Sequence, residues 1–313
     1  MERPVAIELK NISKYFFGKV IANKNVNLTL YKGEILALLG ENGSGKTTLM
    51  NMISGIYAPD EGHILIGGEE VSIRSPKDAF KYKIGMIHQH FKLVEVFTAA
   101  QNIVLGTKDD TAFNKKAINT RVKEICERYG FDIDPKKKIY DMSVSEKQTV
   151  EIIKVLYRGA DILILDEPTA VLTPQETDKL FAILRNMKQD NKSIIIITHK
   201  LNEVLAISDR VSILRKGEYV GTVETATTTA KELTEMMVGK KIDLKIDRPV
   251  TTFDRPLLEI RNLTINKDDG SRAIDDVSFY IRGGEILGVA GIAGCGQKEL
   301  CEAIAPNTSP AFL

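Results

Sequence analysis

The sequence has no tryptophan and only three cysteines among its 313 residues. Because Cys126, Cys295 and Cys301 include no CxxC pair, they argue against a disulfide framework or a structural zinc site and favour a reducing compartment. The net charge is only +1, which gives no bulk attraction to nucleic acid or to an anionic membrane. The first residues carry no apolar segment of the signal-peptide type, so nothing in the sequence predicts export.

Long hydrophobic runs are also missing. The longest lie at 162–165 and 194–197, whereas a membrane-spanning helix needs about 20 apolar residues. A membrane role would therefore require a partner. The apolar fraction of 43% and the charged fraction of 27% are those of a globular protein with a buried core. The length allows one large domain with a further fragment, or two modest domains.

Residues 40–48 form the stretch around which the sequence is organised, because they match G-x-x-x-x-G-K-[ST], the phosphate-binding loop pattern. A strand-like apolar run precedes them, and a helical apolar stripe follows and ends at Gly55. Lys46 is expected to reach the β- and γ-phosphates and Thr47 to bind Mg²⁺; a chance glycine-rich turn is the alternative. The residues predicted to bind ATP here are Gly40, Glu41, Asn42, Gly43, Ser44, Gly45, Lys46, Thr47 and Thr48.

An aromatic cluster, Tyr15, Phe16 and Phe17, lies ahead of this loop. The residues at 5–12 and 26–30 alternate between apolar and polar, which predicts two half-buried strands on either side of the cluster. A ring at this place could stack on the purine of a nucleotide. Ordinary core packing is the alternative.

Three further apolar runs end in polar side chains. One is followed by Asp166 and Glu167, one is followed closely by His199, and the pattern at 84–90 predicts a strand whose last residues include Gln89. Continuous apolar runs are typical of parallel strands buried on both faces. Because ligands of an open α/β sheet bind at the carboxyl ends of its strands, we expect these side chains to share one edge.

These polar residues suit phosphoryl transfer from ATP, which requires a bound metal ion and a positioned water. Asp166 is expected to hold Mg²⁺ together with Thr47. Glu167 is expected to act as the general base on the attacking water. Gln89 could reach both the metal and the water, and His199 could hydrogen-bond the γ-phosphate or have a purely structural role.

Strands that alternate with helices predict an α/β protein with a parallel sheet. Residues 98–160 are predicted to be mainly helical, and residues 241–256 are predicted to be a linker. One helical stripe in this region is expected to be core rather than an interaction surface. Its members are Ile118, Val122, Ile125, Cys126 and Tyr129.

The C-terminal part repeats the N-terminal part at a constant offset of 251 residues, without a gap. The repeat stops before a second Asp-Glu strand, so we expect only a partial second copy. The recurring residues are Glu259, Asn262, Ala273, Val277, Gly284, Glu285, Ile286, Leu287, Gly291, Gly294 and Gly296, which correspond to Glu8, Asn11, Ala22, Val26, Gly33, Glu34, Ile35, Leu36, Gly40, Gly43 and Gly45.

At these residues the chain closely resembles the nucleotide-binding subunit of an ABC transporter. The motifs of that family occur in order: Walker A at 40–47, the Q-loop residue Gln89, a signature region at 142–148, Walker B ending in Asp166 and Glu167, and the switch histidine His199. The resemblance covers residues 5–240 and, as the start of a second copy, residues 257–305. By the same resemblance, the ring that stacks on adenine is Phe17, with Tyr15 as a near alternative.

The resemblance implies a P-loop ATPase fold of the ABC type, with a mixed or parallel sheet core, an antiparallel β subdomain and a helical subdomain at about 98–160. It assigns residues 1–240 to one cassette. Residues 257–313 are then the truncated start of a second, degenerate cassette. In that copy Gln297 replaces Lys46 and Lys298 replaces Thr47, so we expect it to bind ATP poorly or not at all.

The same resemblance implies an ATPase that uses ATP and Mg²⁺ and powers import through separate integral-membrane permease subunits, at the cytoplasmic face of the membrane. An extracytoplasmic solute-binding protein is an indirect partner, and no nucleic acid is expected. Tandem cassettes and the residues 172–176 resemble the importers of monosaccharides and nucleosides, and residues 157–161 favour the nucleoside branch. The identity of the solute is not readable from the sequence.

In this family a second cassette, in tandem or in a homodimer, completes each ATP site with its signature. The residues predicted to act in trans are Ser143, Val144, Ser145 and Glu146. Ser145 replaces the second glycine of the usual LSGGQ, where its Cβ could crowd the phosphate or its hydroxyl could cap the helix.

The alternative function is a soluble ABC-type ATPase associated with ribosomes or DNA. Such proteins are expected to carry a basic linker or a long coiled-coil insertion, and the sequence has neither. A regulatory nucleotide-binding module is a third possibility, which the presence of both Glu167 and His199 argues against.

Overall fold

The computed structural model describes residues 3–17, 20–107, 115–240, 256–266, 270–291 and 295–305. The chain divides into two compact units, Met1–Ile242 and Asp243–Leu313. The predicted linker at 241–256 lies outside the described residues except for Pro256.

The first unit is built on one mixed sheet of ten strands. In chain order the strands are β1 (Val5–Phe16), β2 (Val20–Tyr31), β3 (Ile35–Leu39), β4 (Glu61–Ile66), β5 (Glu69–Val71), β6 (Ile84–Ile87), β7 (Ile162–Asp166), β8 (Ser193–Ile197), β9 (Arg210–Arg215) and β10 (Glu218–Glu224). Their order across the sheet is β5-β4-β1-β2-β10-β9-β3-β8-β7-β6.

The parallel half of this sheet consists of β9, β3, β8, β7 and β6. Every residue of β3, β7 and β8 is buried, which is why their sequences are mostly apolar rather than alternating. Ile197 of β8 pairs with Asp166 on one side and with Leu38 on the other. The carboxyl ends of these three strands therefore lie side by side.

The other half of the sheet is mainly antiparallel, with β2, β1, β4 and β5 as successive neighbours. In β1 the buried residues Ile7, Leu9 and Ile12 are separated by more exposed ones, as expected for a sheet with one face in the core. The predicted strands at 5–12 and 26–30 are confirmed, and both are longer than the alternating pattern indicates.

The strand predicted at 84–90 is shorter than expected. It ends at Ile87, and Gln89 and His90 are exposed in the bend that follows. The physical reason is that β6 is the last strand of the sheet and pairs only with β7, in which Leu165 is the partner of Ile87. Only one residue of β7, Asp166, follows that position, so the ladder of β6 could extend by no more than one residue.

Eight α-helices accompany the sheet in the described part of the first unit. They are α1 (Lys46–Ile53), α2 (Pro76–Lys81), α3 (Ala99–Val104), α4 (Lys115–Tyr129), α5 (Val144–Tyr157), α6 (Pro174–Gln189), α7 (Leu201–Ile207) and α8 (Ala230–Val238). The stripe predicted on α4 is core, since Val122 and Tyr129 are buried and the other members pack on the same cluster. None of the helices in the described ranges has both the length and the apolarity needed to span a bilayer.

The second unit contains β11 (Pro256–Asn266), β12 (Arg272–Arg282) and α9 (Gln297–Ile304). It reproduces the backbone of the first unit at the same offset, including its left-handed residues. Those residues are Asn262, Asp276, Gly284 and Gly296, which match Asn11, Asn25, Gly33 and Gly45. The side-chain contacts repeat too: the Arg282 amide donates to Glu285 Oε2 at 2.8 Å, as the Tyr31 amide donates to Glu34 Oε2 at 2.7 Å.

One described segment of the second unit departs from the first. Residues 286–290 correspond to β3 but form no strand, and Ile286 is 93% exposed whereas Ile35 is fully buried. In the first unit β3 is paired on both sides, with β8 and β9. The described residues of the second unit supply no such neighbours, so its apolar run has nothing to pair with.

Candidate functional site

The predicted phosphate-binding loop connects β3 to α1. Gly45, just before the helix, has a φ of 94°, a left-handed conformation that glycine adopts without strain. A Cβ at Gly45 would lie 2.3 Å from the carbonyl oxygen of Ala22, and a Cβ at Gly40 would lie 2.5 Å from Ser44 Oγ. Only glycines can therefore bring this backbone so close to its neighbours, and the first amides of α1 are left pointing out of the helix end.

Lys46 is the first residue of α1 and is buried. Its Nζ donates hydrogen bonds to the backbone oxygens of Gly40 at 2.7 Å and Glu41 at 2.9 Å. Burial lowers the pKa of Lys46, and the nearby carboxylates of Glu167 and Asp166 act in the opposite direction. Since its hydrogen bonds within the described residues are to neutral carbonyls, the ammonium charge is available to an anionic ligand.

The loop also contains a buried hydroxyl without a partner. Ser44 Oγ has no hydrogen-bond partner among the described residues, although the Ser44 backbone is fixed on both sides, by Glu41 O at 3.1 Å and by the Gly217 amide at 3.2 Å. An unsatisfied buried hydroxyl costs free energy. Together with the glycine cradle and Lys46, it fits a loop that binds the oxygens of a phosphate chain.

Asn23 supports this loop and was not predicted from the sequence. It is fully buried, and its Nδ2 donates to the carbonyl oxygen of Gly45 at 3.3 Å, while its Oδ1 has no partner among the described residues. Nothing in the sequence signals this role, because Asn23 belongs to β2 and no motif links it to the loop.

Asp166 ends β7 within reach of the loop. Burial raises the pKa of its carboxyl group, and hydrogen bonding to the Thr47 hydroxyl partly offsets that effect. The structure thus brings together two of the three residues predicted to bind Mg²⁺. A carboxylate and a hydroxyl are oxygen donors of the kind that Mg²⁺ accepts, with waters completing its coordination, so the residues present fit this ion.

Glu167 and His199 form a direct pair. Glu167 has a left-handed φ of 50°, unusual for a residue with a side chain, and its amide donates to Ile197 O at 2.9 Å. Its Oε1 lies 2.9 Å from Nδ1 of His199. The carboxylate of Glu167 is mostly buried while the imidazole is half-exposed, so the histidine faces the space in front of the sheet edge.

Glu203 of α7 holds the two loops that carry this pair, and it was not predicted. It accepts hydrogen bonds from the hydroxyls of Thr169 at 2.5 Å and Thr198 at 3.4 Å. Thr169 follows β7 and Thr198 follows β8. Because Glu203 and Thr169 are 34 residues apart in the sequence, no local sequence pattern could indicate this contact.

Gln89 lies apart from this cluster. It is exposed in the bend after β6, and within the described part of the chain it makes no hydrogen bond to Thr47 or Asp166. Its predicted contact with the metal and the water therefore stays a prediction.

The two aromatic candidates differ in their surroundings. Phe17 is 99% exposed and has a left-handed φ of 52°. Tyr15 is 37% exposed; its hydroxyl donates to Glu61 Oε2 at 3.3 Å and its amide donates to Asp60 Oδ2 at 2.7 Å. Phe17 is thus the ring open to a ligand, whereas Tyr15 is anchored to the chain that leads into β4.

The predicted signature residues 143–146 form the beginning of α5. Ser143 is the N-cap: its Oγ accepts from the Glu146 amide at 3.2 Å, and Glu146 Oε2 accepts from the Ser143 amide at 2.7 Å. The suggestion that Ser145 caps the helix is wrong, because Ser143 occupies the extended cap position and Ser145 already lies inside the helix. The Ser145 hydroxyl instead interacts with Glu176 of α6, and Val144 is 42% exposed.

The loop at 291–296 of the second unit corresponds to the phosphate-binding loop. It keeps one contact to its backbone but lacks the positive charge at the position of Lys46. Nε2 of Gln297 donates to Gly291 O at 3.4 Å, which is the counterpart of the bond from Lys46 to Gly40 O. Lys298 points into solvent and pairs with Glu302. The described residues of this loop therefore offer no ammonium group at the position of Lys46 and no hydroxyl at the position of Thr47.

At the sheet edge of the first unit, a buried ammonium group, a carboxylate beside a hydroxyl, and a carboxylate–imidazole pair surround one loop of backbone amides. The ammonium group and the amides can bind a chain of phosphates. Asp166 and Thr47 can hold a divalent cation, and Glu167 can orient and deprotonate a water. This combination suits hydrolysis of a nucleoside triphosphate.

Comparison with known proteins gives a consistent result. Residues 23–170 match the family model described as ABC transporter. The nucleoside import ATP-binding protein NupA of Lactococcus lactis subsp. cremoris is 46% identical over 97% of this chain and 60% of its own length. The guanosine import ATP-binding protein NupO of Bacillus subtilis is 47% identical, over 95% of this chain and 59% of its own.

The glucose import ATP-binding protein TsgD13 of Haloferax volcanii is 42% identical over 97% of this chain and 61% of its own length. The chain thus spans about three fifths of the length of these relatives. Among solved structures, the cassette MJ1267 in its ADP conformation superposes with a TM-score of 0.66 at 23% identity, covering 75% of this chain and 99% of that one. The dimeric cassette MJ0796 gives a TM-score of 0.62 at 27% identity, with coverages of 70% and 98%.

Proposed function

We propose that the chain is the ATP-binding and ATP-hydrolysing subunit of an importer of the ABC transporter family, which couples hydrolysis to solute uptake through separate permease subunits. The observation that carries this proposal is the meeting of Lys46, Asp166 and the Glu167–His199 pair at the carboxyl ends of β3, β7 and β8. A site that only bound nucleotide would need the loop but not the carboxylate–imidazole pair.

In the proposed reaction, Lys46 and the loop amides bind the phosphate oxygens and stabilise the negative charge that develops on them. Lys46 then exchanges its carbonyl partners for those oxygens, so that the ammonium group needs little further movement. Glu167 accepts a proton from the attacking water. Its bond to His199 fixes the direction of the carboxylate, and the half-exposed imidazole is in place to donate to the γ-phosphate.

Asp166 and Thr47 are the residues proposed to hold Mg²⁺, with Gln89 as a third ligand. Bound there, the ion would neutralise charge on the β- and γ-phosphate oxygens. Asp166 must be ionised for this role, and the positive charge of Lys46 favours that form.

We propose that the ATP site is completed by the signature residues 143–146 of another cassette, in tandem or from a second copy of this chain. The cassette MJ0796 has been solved as a dimer, which supports pairing between cassettes. The permease subunits, the indirect solute-binding protein and the location at the cytoplasmic face of the membrane are proposed from the names of the import relatives.

For the solute, we propose a nucleoside. Two of the relatives, at 46% and 47% identity, are named for nucleoside and guanosine import. Simple sugars are the second candidate, because a glucose import protein is 42% identical and a ribose import protein of Streptomyces coelicolor is 41% identical.

Glu167→Gln tests the catalytic assignment. The variant is expected to bind ATP as tightly as the wild type and to hydrolyse it at least about a hundredfold more slowly, because a general base contributes a factor of that order. Phosphate release and nucleotide binding measured side by side separate the two effects. Glu127→Gln, on the exposed face of α4, is the matched control. Undiminished hydrolysis by the Glu167 variant would remove Glu167 as the base.

The transport assignment is tested by uptake of labelled nucleosides, ribose and glucose in cells that produce the protein together with permease subunits from the same organism. Nucleoside uptake that is lost in the Glu167→Gln variant is the expected outcome. Uptake of ribose or glucose, without uptake of a nucleoside, would instead identify a simple sugar as the solute. If the protein hydrolyses ATP but neither drives uptake nor binds any permease, the soluble ATPase would be favoured.

A further inference from the structure

The phosphate-binding loop contains the only place in the sequence where an asparagine is followed by a glycine, Asn42 and Gly43. Both residues are exposed. Gly43 has a left-handed φ of 80°, and a Cβ built on it would meet nothing within 4 Å. Among the described residues, neither the Asn42 side chain nor the Gly43 amide makes a hydrogen bond. The Gly43 backbone nitrogen is therefore accessible, and its glycine backbone can turn freely.

An accessible nitrogen next to an asparagine side chain favours deamidation. The Gly43 nitrogen, after losing its proton to a base in solution, attacks Cγ of Asn42, and the side-chain nitrogen leaves as ammonia. Water then opens the resulting succinimide ring at one of its two carbonyl groups. One opening gives aspartate, and the other gives isoaspartate, whose main chain passes through the side-chain carbon and is longer. In sum, asparagine and water become aspartate or isoaspartate and ammonia.

Asn191 offers a matched comparison elsewhere in the chain. It is also exposed and has a left-handed φ of 57°, in the turn between α6 and β8. The next residue is Lys192, whose amide donates to the carbonyl oxygen of Met187 at 3.0 Å. The nitrogen that would attack Asn191 is thus held in a hydrogen bond, and it belongs to a residue with a side chain. Exposure alone therefore does not make the two asparagines equivalent.

Loss of the amide at Asn42 would act directly on phosphate binding. At neutral pH the new carboxylate is ionised, and its negative charge would lie in the loop that, with Lys46, is proposed to bind a triphosphate. The isoaspartate form would also lengthen a loop that is already tightly seated, since a Cβ at Gly45 would meet Ala22 O at 2.3 Å. Bound phosphates engage the amides of such a loop, which restricts the turning that ring closure requires.

We propose that Asn42 is a site of spontaneous deamidation that disables the phosphate-binding loop while it is empty, and that bound nucleotide suppresses the reaction. The lifetime of the site is then set by how long it stands without nucleotide. The second unit has Ala293 at this position, so its loop has no amide to lose. Protection by nucleotide rests on the proposed function, whereas deamidation of the empty loop does not.

Peptide mapping by mass spectrometry tests the reaction during incubation of the whole chain in mildly alkaline buffer. Asn42 is expected to convert to aspartate and isoaspartate while Asn191 stays intact. ADP at about 100 times its Kd leaves about 1% of the sites empty, so it should slow the conversion by up to about a hundredfold. Equal conversion of the two asparagines would overturn the proposal, as would an unchanged rate with ADP bound.

The same experiment separates this proposal from the proposed function. If the chain bound no ADP or ATP at all, the proposed function would fail. The comparison of Asn42 with Asn191 in the nucleotide-free chain would still decide whether the empty loop deamidates.

Nucleotide titration of the incubated protein measures the consequence. The fraction of chains that bind ATP is expected to fall in step with the fraction converted at Asn42. Asn42→Asp should bind ATP about tenfold or more weakly than the wild type, because the added charge repels the phosphates. Asn42→Gln, whose longer side chain closes a ring more slowly, should keep its own starting affinity throughout the incubation. If Asn42→Gln lost binding as fast as the wild type, another change would be inactivating the loop and the proposal would be wrong.

Discussion

At the scale of single residues, burial acts on Lys46 and Asp166 in the same electrostatic sense. It lowers the pKa of the ammonium group and raises that of the carboxyl group, so each residue is pushed toward its neutral form. The negative charge of Asp166 raises the pKa of Lys46 and the positive charge of Lys46 lowers the pKa of Asp166, so each partly offsets the effect of burial on the other. The edge of the sheet is therefore a place where the folded chain holds charges at a cost in stability, as functional sites often do.

Asp166→Asn is expected to raise the unfolding temperature at pH 7 by about 2–4 °C while abolishing Mg²⁺-dependent hydrolysis. A carboxyl whose pKa is raised on folding binds its proton more tightly in the folded state. Its contribution to stability is present at low pH and is lost as the pH rises from the unfolded-state pKa through the raised folded-state pKa. Asp166→Asn replaces the buried carboxylate with a neutral amide, so the variant does not lose stability as the pH rises through this range.

Thermal denaturation followed by circular dichroism at pH 7 and near the carboxyl pKa of about 4 checks this prediction. The advantage of the variant should be present at pH 7 and shrink at the lower pH, where Asp166 takes up its proton. A variant less stable than the wild type at pH 7 would contradict it.

The residue types of the candidate site could be predicted because each stands at a position with a local signal. Asp166 and Glu167 follow a buried strand, and Lys46 lies in a loop motif. The contact between Glu167 and His199 could not be predicted, since it depends on β7 and β8 being neighbours in the sheet. Glu203 was missed for a similar reason: it lies in α7 and binds hydroxyl groups of the loops after β7 and β8, and no sequence pattern marks it.

At the scale of elements, the unbroken apolar runs of β3, β7 and β8 were sufficient to predict strands, because both faces are buried. The strand β6 was overestimated, since its length is limited by where β7 ends. The helix α1 was found from its apolar stripe, and its beginning is set by Gly45, whose left-handed backbone no alternating pattern encodes. Element boundaries are thus decided by neighbours and special backbone angles more than by composition.

The glycines of the phosphate-binding loop permit a matched comparison. Gly45 and Gly43 both have positive φ, but a Cβ at Gly45 would meet Ala22 O at 2.3 Å, and a Cβ at Gly43 meets nothing within 4 Å. Gly43→Ala is expected to cost about 1–2 kcal/mol of unfolding free energy, from backbone strain alone. Gly45→Ala should cost distinctly more and should weaken ATP binding, because the loop must move away from β2.

Urea unfolding and nucleotide titration of both variants measure the two effects. Equal losses of stability in the two variants would show that the close approach to Ala22 is not what requires glycine at position 45.

At the scale of the whole molecule, the chain consists of one unit with a candidate catalytic site and a second unit that repeats its opening. Every residue predicted to bind ATP or metal lies in Met1–Ile242. The second unit exposes Ile286, Leu257 and Val289, and its described loop has no cation in the place of Lys46. The candidate nucleotide site described above therefore belongs to the first unit.

A chain shortened to residues 1–242 is expected to fold and to bind ATP within about threefold of the full chain, since a threefold change is less than 1 kcal/mol. Circular dichroism and nucleotide titration of the two chains make the comparison. A shortened chain that is folded but has lost ATP binding would show that residues 243–313 contribute to the site.

The left-handed residues that recur in both units, Asn11 and Asn262 among them, have a consequence for engineering. Gly296 keeps the left-handed backbone of Gly45 and its close approach to the neighbouring strand, and the two residues that follow it differ from Lys46 and Thr47 in their side chains. Gln297→Lys and Lys298→Thr would therefore rebuild the cation and the hydroxyl without any change of chain length or glycine spacing. The exchange would return these two side chains only, because no described residue of the second unit corresponds to Asp166, Glu167 or His199.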